Sequence, residues 1–139
     1  MNKVLVSICI AGTALAMSSC RSVEKAIPLS SINGEWNIIE VNGSKVTPGE
    51  SRTLPFITFD TATGRVSGNS GCNRMMGSFD VNAKPGSLSL GAMAGTKMMC
   101  PDMTTERNVL GALAQVKGYK KAGKDKMYLC NASNRPVVV

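Results

Sequence analysis

Residues 67–80 read SGNSGCNRMMGSFD, a run in which three glycines surround one cysteine. Glycine inside an extended segment is typical of a bulge or a tight bend, because it has no side chain to pack. The run lacks the Gly-Lys-Ser/Thr ending of a phosphate-binding loop and does not lead into a helix. We therefore expect a bend between two strands, with Cys72 in the bend and Met75 and Met76 on the strand that follows.

Short extended segments lie on both sides of this bend. The segment GEWNIIEVNG (34–43) predicts a strand over residues 35–41 that ends in an Asn-Gly hairpin turn. LPFITFD (54–60) alternates between its two faces like a half-buried strand. KMYLCN (126–131) and RPVVV (135–139) predict two more strands joined by a turn. The chain is therefore rich in short strands.

One helix is predicted late in the chain, over residues 102–118. Four apolar residues recur there at the spacing of one helix face: Val109, Ala112, Leu113 and Val116. Asp102 is placed to cap its start and Gly118 to end it. Many short strands with one late helix predict an α+β domain, in which a curved antiparallel sheet packs on one main helix.

The first twenty residues, MNKVLVSICIAGTALAMSSC, have the form of an export signal. Lys3 precedes an apolar run that is too short for a permanent membrane helix. The ending Met17-Ser18-Ser19-Cys20 resembles a bacterial lipobox, in which a peptidase cuts before a cysteine that carries lipid. We expect residues 1–19 to be a lipoprotein signal peptide and Cys20 to be the lipid attachment site.

The rest of the chain divides into a tether and one domain. Residues 20–32 have no hydrophobic periodicity and are predicted to be a lipid-anchored tether, which leaves residues 33–139 as the domain. Arg21 and Ser22 follow the lipid cysteine without the Asp that is associated with inner-membrane retention in some bacteria. We therefore expect a lipid-anchored protein of the cell envelope, on the outer membrane.

Export also implies an oxidising compartment, in which thiols that lie close together pair. Of the five cysteines, Cys9 leaves with the signal and Cys20 takes the lipid. The three that remain, Cys72, Cys100 and Cys130, can form at most one bridge. Three interpretations of Cys72 and Cys100 are therefore considered: a disulfide, two structural thiols or a reactive thiol. A reactive thiol needs a lowered pKa and a base.

The chain contains no histidine. This removes Ser-His and Cys-His nucleophile pairs, histidine metal ligands and the usual general base near neutral pH. The absence argues against a histidine-dependent site, and we predict no catalytic residue, no enzymatic activity and no cofactor.

Positive charge is concentrated in KGYKKAGKDK (117–126), which has five lysines and one aspartate, whereas the whole chain has a formal net charge of +7. Such a cluster could meet anionic headgroups, nucleic acid or an acidic partner. We interpret it as a solvated hairpin tip. No nucleic-acid partner is expected, because few aromatic side chains are interleaved for base stacking.

Several segments in order resemble one known family. The strand at Trp36 with its Asn-Gly turn, VSGNSGCNRMMGSF (66–79), LSLGAMAGTKMMC (88–100) and a helix that begins near Glu106 are similar to the META domain of HslJ-like bacterial envelope lipoproteins. The resemblance implies an antiparallel, half-barrel-like sheet with one packed helix, an envelope location and no established catalytic activity.

The resemblance also bears on the cysteines. Cys130 does not match a cysteine of the family pattern, which makes it the expected odd thiol and Cys72–Cys100 the expected disulfide. Such a bridge would close a loop of about 29 residues and contribute roughly 3.5 kcal/mol in the chain-entropy account. A Cys100–Cys130 link stays open as the alternative.

Methionines offer a second kind of chemistry beside these cysteines. Met75, Met76, Met98 and Met99 adjoin Cys72 and Cys100, and Met93 and Met103 are near in sequence. Thioether and thiolate sulfurs are soft ligands that favour Cu(I). Alternation along a strand instead sends one member of each pair inward, where methionine is an adaptable core filler. We favour the core interpretation and keep the soft-metal site as a possibility.

These observations together predict a lipid-anchored, non-enzymatic envelope protein that supports envelope integrity or stress tolerance. Its expected partners are the membrane, through the N-terminal lipid, and an unknown envelope protein. One alternative is a soft-metal or thiol-redox module that uses the methionines and cysteines. The other is a secretion-accessory lipoprotein that binds a membrane partner by strand addition or in a hydrophobic groove.

Overall fold

A computed structural model of the chain describes residues 26–48 and 53–139. The predicted signal peptide and Cys20 lie outside these residues, as does the first part of the predicted tether. Among the described residues, no helix has both the length and the apolar character needed to cross a membrane.

Ten strands and one α-helix make up the described chain. The strands are β1 Gly34–Asn37, β2 Glu40–Val41, β3 Ser44–Lys45, β4 Phe56–Asp60, β5 Arg65–Asn69, β6 Arg74–Ser78, β7 Ala94–Gly95, β8 Gly118–Ala122, β9 Lys126–Cys130 and β10 Pro136–Val138. The helix, α1, is Thr104–Leu113, and a short 3-10 helix, Leu29–Ile32, precedes β1.

The strands form two antiparallel sheets of five. The first sheet has the order β1-β4-β5-β6-β7 and the second β3-β2-β10-β9-β8. Helix α1 contacts β10 and β2 of the second sheet. The predicted class, α+β with curved antiparallel strands packed on one main helix, is confirmed, although the strands are divided between two sheets.

The strand predicted over residues 35–41 is in fact two strands in different sheets. Glu35 pairs with Thr58 in the first sheet, whereas Val41 pairs with Val138 in the second. Between β1 and β2, Ile38 is buried, and its amide donates to the Pro55 carbonyl at 2.8 Å. The chain passes from the first sheet to the second at this point, because β1 and β2 both pack apolar residues against the core that the two sheets share.

The Asn42-Gly43 turn closes the β2–β3 hairpin as predicted. Asn42 has a φ of 49° and Gly43 a φ of 79°. Positive φ at both central residues is typical of a type I′ turn, which matches the twist of the flanking strands.

Helix α1 is shorter than the predicted range of 102–118. It begins at Thr104, whose amide donates to Asp102 Oδ1 at 2.8 Å, so Asp102 lies one residue before the N-cap position. It ends at Leu113, and Gly118 opens strand β8 instead of ending the helix. The apolar face still packs as expected.

The core lies between the sheets and α1. It includes Ile32, Ile38, Ile57, Phe59, Val66, Met75, Leu88, Val109, Leu113, Val116, Leu129 and Val138, all nearly inaccessible to solvent. Phe59 and Phe79 meet edge to face with their ring centroids 5.7 Å apart. Aliphatic side chains and two methionines, Met75 and Met127, therefore fill most of the core, as the low aromatic content requires.

Residues 27–32, placed in the tether by sequence, pack on the domain. Ile32 is fully buried, and Trp36 Nε1 donates to its carbonyl at 2.9 Å. The Tyr119 hydroxyl donates to the Ile27 carbonyl at 2.8 Å. The packed region thus begins before residue 33, because a buried isoleucine and side-chain hydrogen bonds to the carbonyls of Ile27, Ser31 and Ile32 hold this segment against the sheets.

Candidate functional site

The glycine-rich run forms a tight bend between β5 and β6. Asn69 Oδ1 accepts from the Gly71 amide at 2.8 Å, and the Ser70 amide donates to the Asn73 carbonyl at 3.0 Å. Gly68 permits a close strand approach, since a Cβ there would lie 2.1 Å from the Phe56 carbonyl oxygen. The bend turns Cys72 and Asn73 inward, and both are buried.

Cys72 forms a disulfide with Cys100, and their Cα atoms are 6.0 Å apart. This separation lies in the usual range for a bridge. The segment that ends at Cys100 therefore runs beside the bend. Cys130 lies elsewhere, as a buried thiol on β9. The structure thus has the 72–100 pairing and not the alternative 100–130 link.

The carboxylate of Glu106, in the first turn of α1, accepts hydrogen bonds from the bend. Its Oε2 accepts from the Cys72 amide at 3.2 Å and from the Asn73 amide at 2.7 Å. Its Oε1 accepts from Asn73 Nδ2 at 2.8 Å. One buried carboxylate therefore joins the first turn of the helix to the bend through three hydrogen bonds.

Burial is the largest influence on the Glu106 carboxyl and raises its pKa. Hydrogen bonds from the Asn73 side chain, the Asn73 and Cys72 amides and the Ser70 hydroxyl act in the opposite direction. Together they leave the pKa of Glu106 below its ordinary value, because each of them favours the charged form. Glu106 is thus an ionised acceptor at neutral pH whose oxygens are occupied by donors.

Asn73 is the centre of this hydrogen-bond network. Its Oδ1 accepts from Thr96 Oγ1 and from the Met98 amide, both at 2.7 Å. Its Nδ2 donates to the Met98 carbonyl at 3.0 Å as well as to Glu106. A buried amide that uses both its donor and its acceptor groups fixes the segment 96–98 with little freedom.

A cleft of about 350 Å³ opens beside this network. Five methionines line it: Met75, Met93, Met98, Met99 and Met103. We call it the methionine cleft. Its sulfur-bearing residues come from β6, from the segment 93–99 and from the start of α1, and Leu110 and the Glu106 network complete its wall. Arg74 and Lys97 also line the cleft, so residues distant in sequence form a largely apolar surface with two cations beside it.

The four predicted soft-ligand methionines do not all belong to the cleft. Met75 is almost fully buried in its wall. Met98 and Met99 are 56% and 87% exposed at its rim. Met76 is 54% exposed and is not part of the lining, because neighbouring strand residues face opposite ways. Met93 and Met103 are part of the lining.

The cleft offers thioethers and few charged ligands. Within the part of the chain that the structure describes, no group of three or more His, Cys, Asp or Glu side chains is placed to hold a metal ion. Met103 Sδ already accepts from the Cys100 amide at 3.4 Å. What the arrangement can do is contact apolar groups or bind a soft metal through sulfur.

Sequence reasoning missed the role of Glu106, which it used only to mark where the helix begins. An acidic residue among apolar helix positions was the available signal, but nothing in the sequence names its partner 33 residues away. Asn73 lies within the predicted bend of residues 67–80, and the structure adds its side-chain bonds to Glu106 and Thr96.

A second cleft, of about 460 Å³, lies at the junction of the two sheets. Trp36, Ile57, Leu129 and the hairpin residues 124–126 are among those that line it. None of the residues that the sequence singled out for disulfide or metal chemistry takes part, so the methionine cleft is the candidate site.

Comparison with known proteins gives a family and a fold. The family model described as META domain matches residues 28–139. A protein from Burkholderia xenovorans with an NMR structure is 23% identical, with 96% of this chain and 93% of that chain covered and a TM-score of 0.57. A second protein solved by NMR is also 23% identical, with 77% and 87% covered and a TM-score of 0.56. No curated protein matches the chain.

Proposed function

The chain belongs to the META domain family, and on this premise we propose that it is an HslJ-like, lipid-anchored protein of the cell envelope. The META domain is not a known enzyme family. We propose further that the protein has no enzymatic activity and supports envelope integrity or stress tolerance through contacts with another envelope protein.

The observation that carries the proposal is the Cys72–Cys100 disulfide. Structural disulfides persist in exported proteins and are rare in the reducing cytosol. The bridge therefore agrees with the export signal and with the lipid cysteine Cys20 that the sequence predicts. An outer-membrane location is the expected destination, because the residues after Cys20 lack the retention signal.

Lipid labelling tests the anchor directly. Cells that express the full chain should incorporate a fatty-acid label into the protein, and Cys20→Ala should abolish that label and release the protein from the detergent phase. Cys130→Ala is the matched control and should keep the label, since Cys130 is buried in the domain. A labelled, membrane-bound Cys20→Ala protein would contradict the lipid-anchor proposal.

The protein contact is proposed at the rim of the methionine cleft. Met98 and Met99 are large apolar side chains with high exposure beside a ready apolar cavity. Methionine is over-used at surfaces that accommodate apolar partners, because its side chain is flexible and polarisable. The partner should therefore present an apolar segment.

Site-specific photo-crosslinking in intact cells tests this contact. A crosslinker at Met99 should give a discrete adduct with one envelope protein, and a crosslinker at Ile39 should not. Ile39 is a suitable control because it is also an exposed apolar residue but does not line the methionine cleft. Equal adducts from both positions would count against a specific contact at the cleft.

A soft-metal module is the second candidate, and the five cleft methionines are the observation that favours it. Purified protein would then bind Cu(I) stoichiometrically, and Met75→Leu with Met98→Leu would remove the binding. Met76→Leu should leave it unchanged, since Met76 is outside the cleft. Equal affinity in all three proteins would argue against a metal site in the cleft.

A further inference from the structure

The hairpin of β8 and β9 carries most of the net charge of the protein. Its segment 117–126 has five lysines and one aspartate, so it contributes +4 of the formal charge of +7. Residues 122–126 at its tip are exposed. The exposed tip of this hairpin therefore carries a local excess of positive charge.

The same hairpin lies beside residues 27–31, the described segment that is nearest in sequence to Cys20. Strand β8 is an edge strand of the second sheet. Tyr119 donates to the Ile27 carbonyl, and Lys121 Nζ donates to the Ser31 carbonyl at 3.1 Å. Six residue steps separate Cys20 from Ala26, and they span at most about 20 Å when fully extended.

Aromatic side chains lie next to these lysines. Lys121 Nζ is 5.0 Å from the centre of the Trp36 ring, and Lys126 Nζ is 5.8 Å from that of Tyr128. Trp and Tyr favour the boundary between water and lipid, because one end of each is apolar and the other polar. Two carboxylates, Asp125 and Glu35, line the same cleft as Lys124 and Lys126, and the segment 117–126 itself has five lysines against one aspartate.

We propose that the β8–β9 hairpin binds the anionic phospholipid headgroups of the membrane that holds the anchor. The orientation rests on the proposed lipid at Cys20, whose short reach keeps the hairpin near the bilayer. Each lysine close to an anionic surface raises the partition coefficient about fivefold. The domain would then lie against the membrane with its lysines towards the lipid.

Vesicle sedimentation tests the binding separately from the anchor. The protein used is residues 26–139, which lacks Cys20 but contains all the described strands, the helix and the core. A protein solved by NMR aligns along 87% of its own chain with 77% of this one, which supports a domain that folds without the N-terminal segment, and circular dichroism of the fragment verifies this. The vesicles contain phosphatidylcholine alone or a mixture with phosphatidylglycerol.

We expect binding to the anionic vesicles only, and weaker binding as salt screens the charges. Lys124→Gln with Lys126→Gln should lower the partition coefficient at least about tenfold. Lys45→Gln with Lys97→Gln is the matched control and should change it little, because β3 is at the opposite edge of the second sheet and Lys97 lines the methionine cleft.

Three results would overturn the proposal: equal binding to neutral vesicles, no binding to anionic vesicles at low salt, or equal losses in the hairpin and control variants. Binding to polyglutamate without binding to anionic vesicles would assign the surface to an acidic protein instead, and would also refute it. Circular dichroism of each variant verifies folding. Failure of Cys20 labelling refutes only the anchor, since this assay does not use Cys20.

Discussion

Asn73→Ala should destabilise the domain severely, because Asn73 connects three parts of the site. The substitution removes the side-chain bond to Glu106 and those to Thr96 and to both backbone groups of Met98. A bond to a charged group contributes about 2 kcal/mol and a neutral one about 1 kcal/mol, which gives an upper value of about 5 kcal/mol. Thr96 and Met98 are exposed, so water can replace some of the lost hydrogen bonds and reduce the loss of stability.

The expected loss in unfolding free energy is therefore about 3 kcal/mol, or a fall in Tm of about 12 °C or more for a domain of this size. Urea denaturation followed by the fluorescence of Trp36, the single tryptophan, measures it. Asn69→Ala is the matched control in the same bend. It removes one exposed hydrogen bond to Gly71 and should cost less than about 1 kcal/mol.

A companion substitution tests the electrostatic part of the network. Asn73→Asp keeps the side-chain size but replaces the donor to Glu106 by a second carboxylate. It should cost at least as much as Asn73→Ala at pH 7, and part of the loss should be recovered as the pH falls and the pair takes up a proton. Equal, small losses for the Asn73 and Asn69 variants would refute the central role of Asn73.

Three other predictions concern the same region. The lowered pKa of Glu106 means that its contribution to stability is present above its unfolded pKa of about 4.3 and is lost as the pH falls through the folded value. Glu106→Gln should therefore reduce the acid limb in a plot of unfolding free energy against pH, to which the lowered pKa values of Asp60 and Asp102 also contribute, and an unchanged limb would contradict the assignment. Cys72→Ser should lower stability by about 2–5 kcal/mol, and adding Cys100→Ser should cost little more; additive losses in urea denaturation would mean that the two cysteines act independently. Gly68→Ala should lower Tm strongly, because the added Cβ would collide with the backbone carbonyl oxygen of Phe56. Gly111→Ala is the control: nothing lies within 4 Å of its added Cβ, so the substitution should raise stability by about 0.5–1 kcal/mol in mid-helix. Equal effects of the two substitutions would refute the steric argument.

Local patterns in the sequence were sufficient to predict the helix, most of the longer strands and the class of fold, but not strand β8, which begins at the residue expected to end the helix. The Asn42-Gly43 turn, the alternation of LPFITFD and the helical spacing of Val109, Leu113 and Val116 each depend on neighbours within a few residues. Such signals are set by backbone sterics and by the periods of helix and strand. For that reason the hairpins and the helix are where the sequence predicts them, and the META domain assignment agrees with the match over residues 28–139.

The ends of elements were harder to predict. The helix ends before Gly118, and the strand predicted over 35–41 divides between two sheets at Ile38. Both outcomes depend on what the chain packs against at that point. A local pattern cannot report this, because burial is a property of the assembled core.

The candidate site was only partly visible in the sequence for the same reason. The cysteines and methionines are conspicuous residue types, so their importance could be inferred from composition and spacing. Met76 faces away from the cleft, whereas Met93 and Met103 line it. This difference depends on strand register and on the packing of α1. Distance along the chain does not measure distance across a folded sheet.

The class of fold, the absence of histidine and the lysine-rich segment can be read from residue types and short-range periodicity. That Glu106 and Asn73 share a buried network, and that the lysine hairpin adjoins residues 27–31, could be learned only from the folded chain. These contacts join segments more than 30 residues apart. Their formation depends on the burial of the common core, which offsets the entropy of closing such long loops.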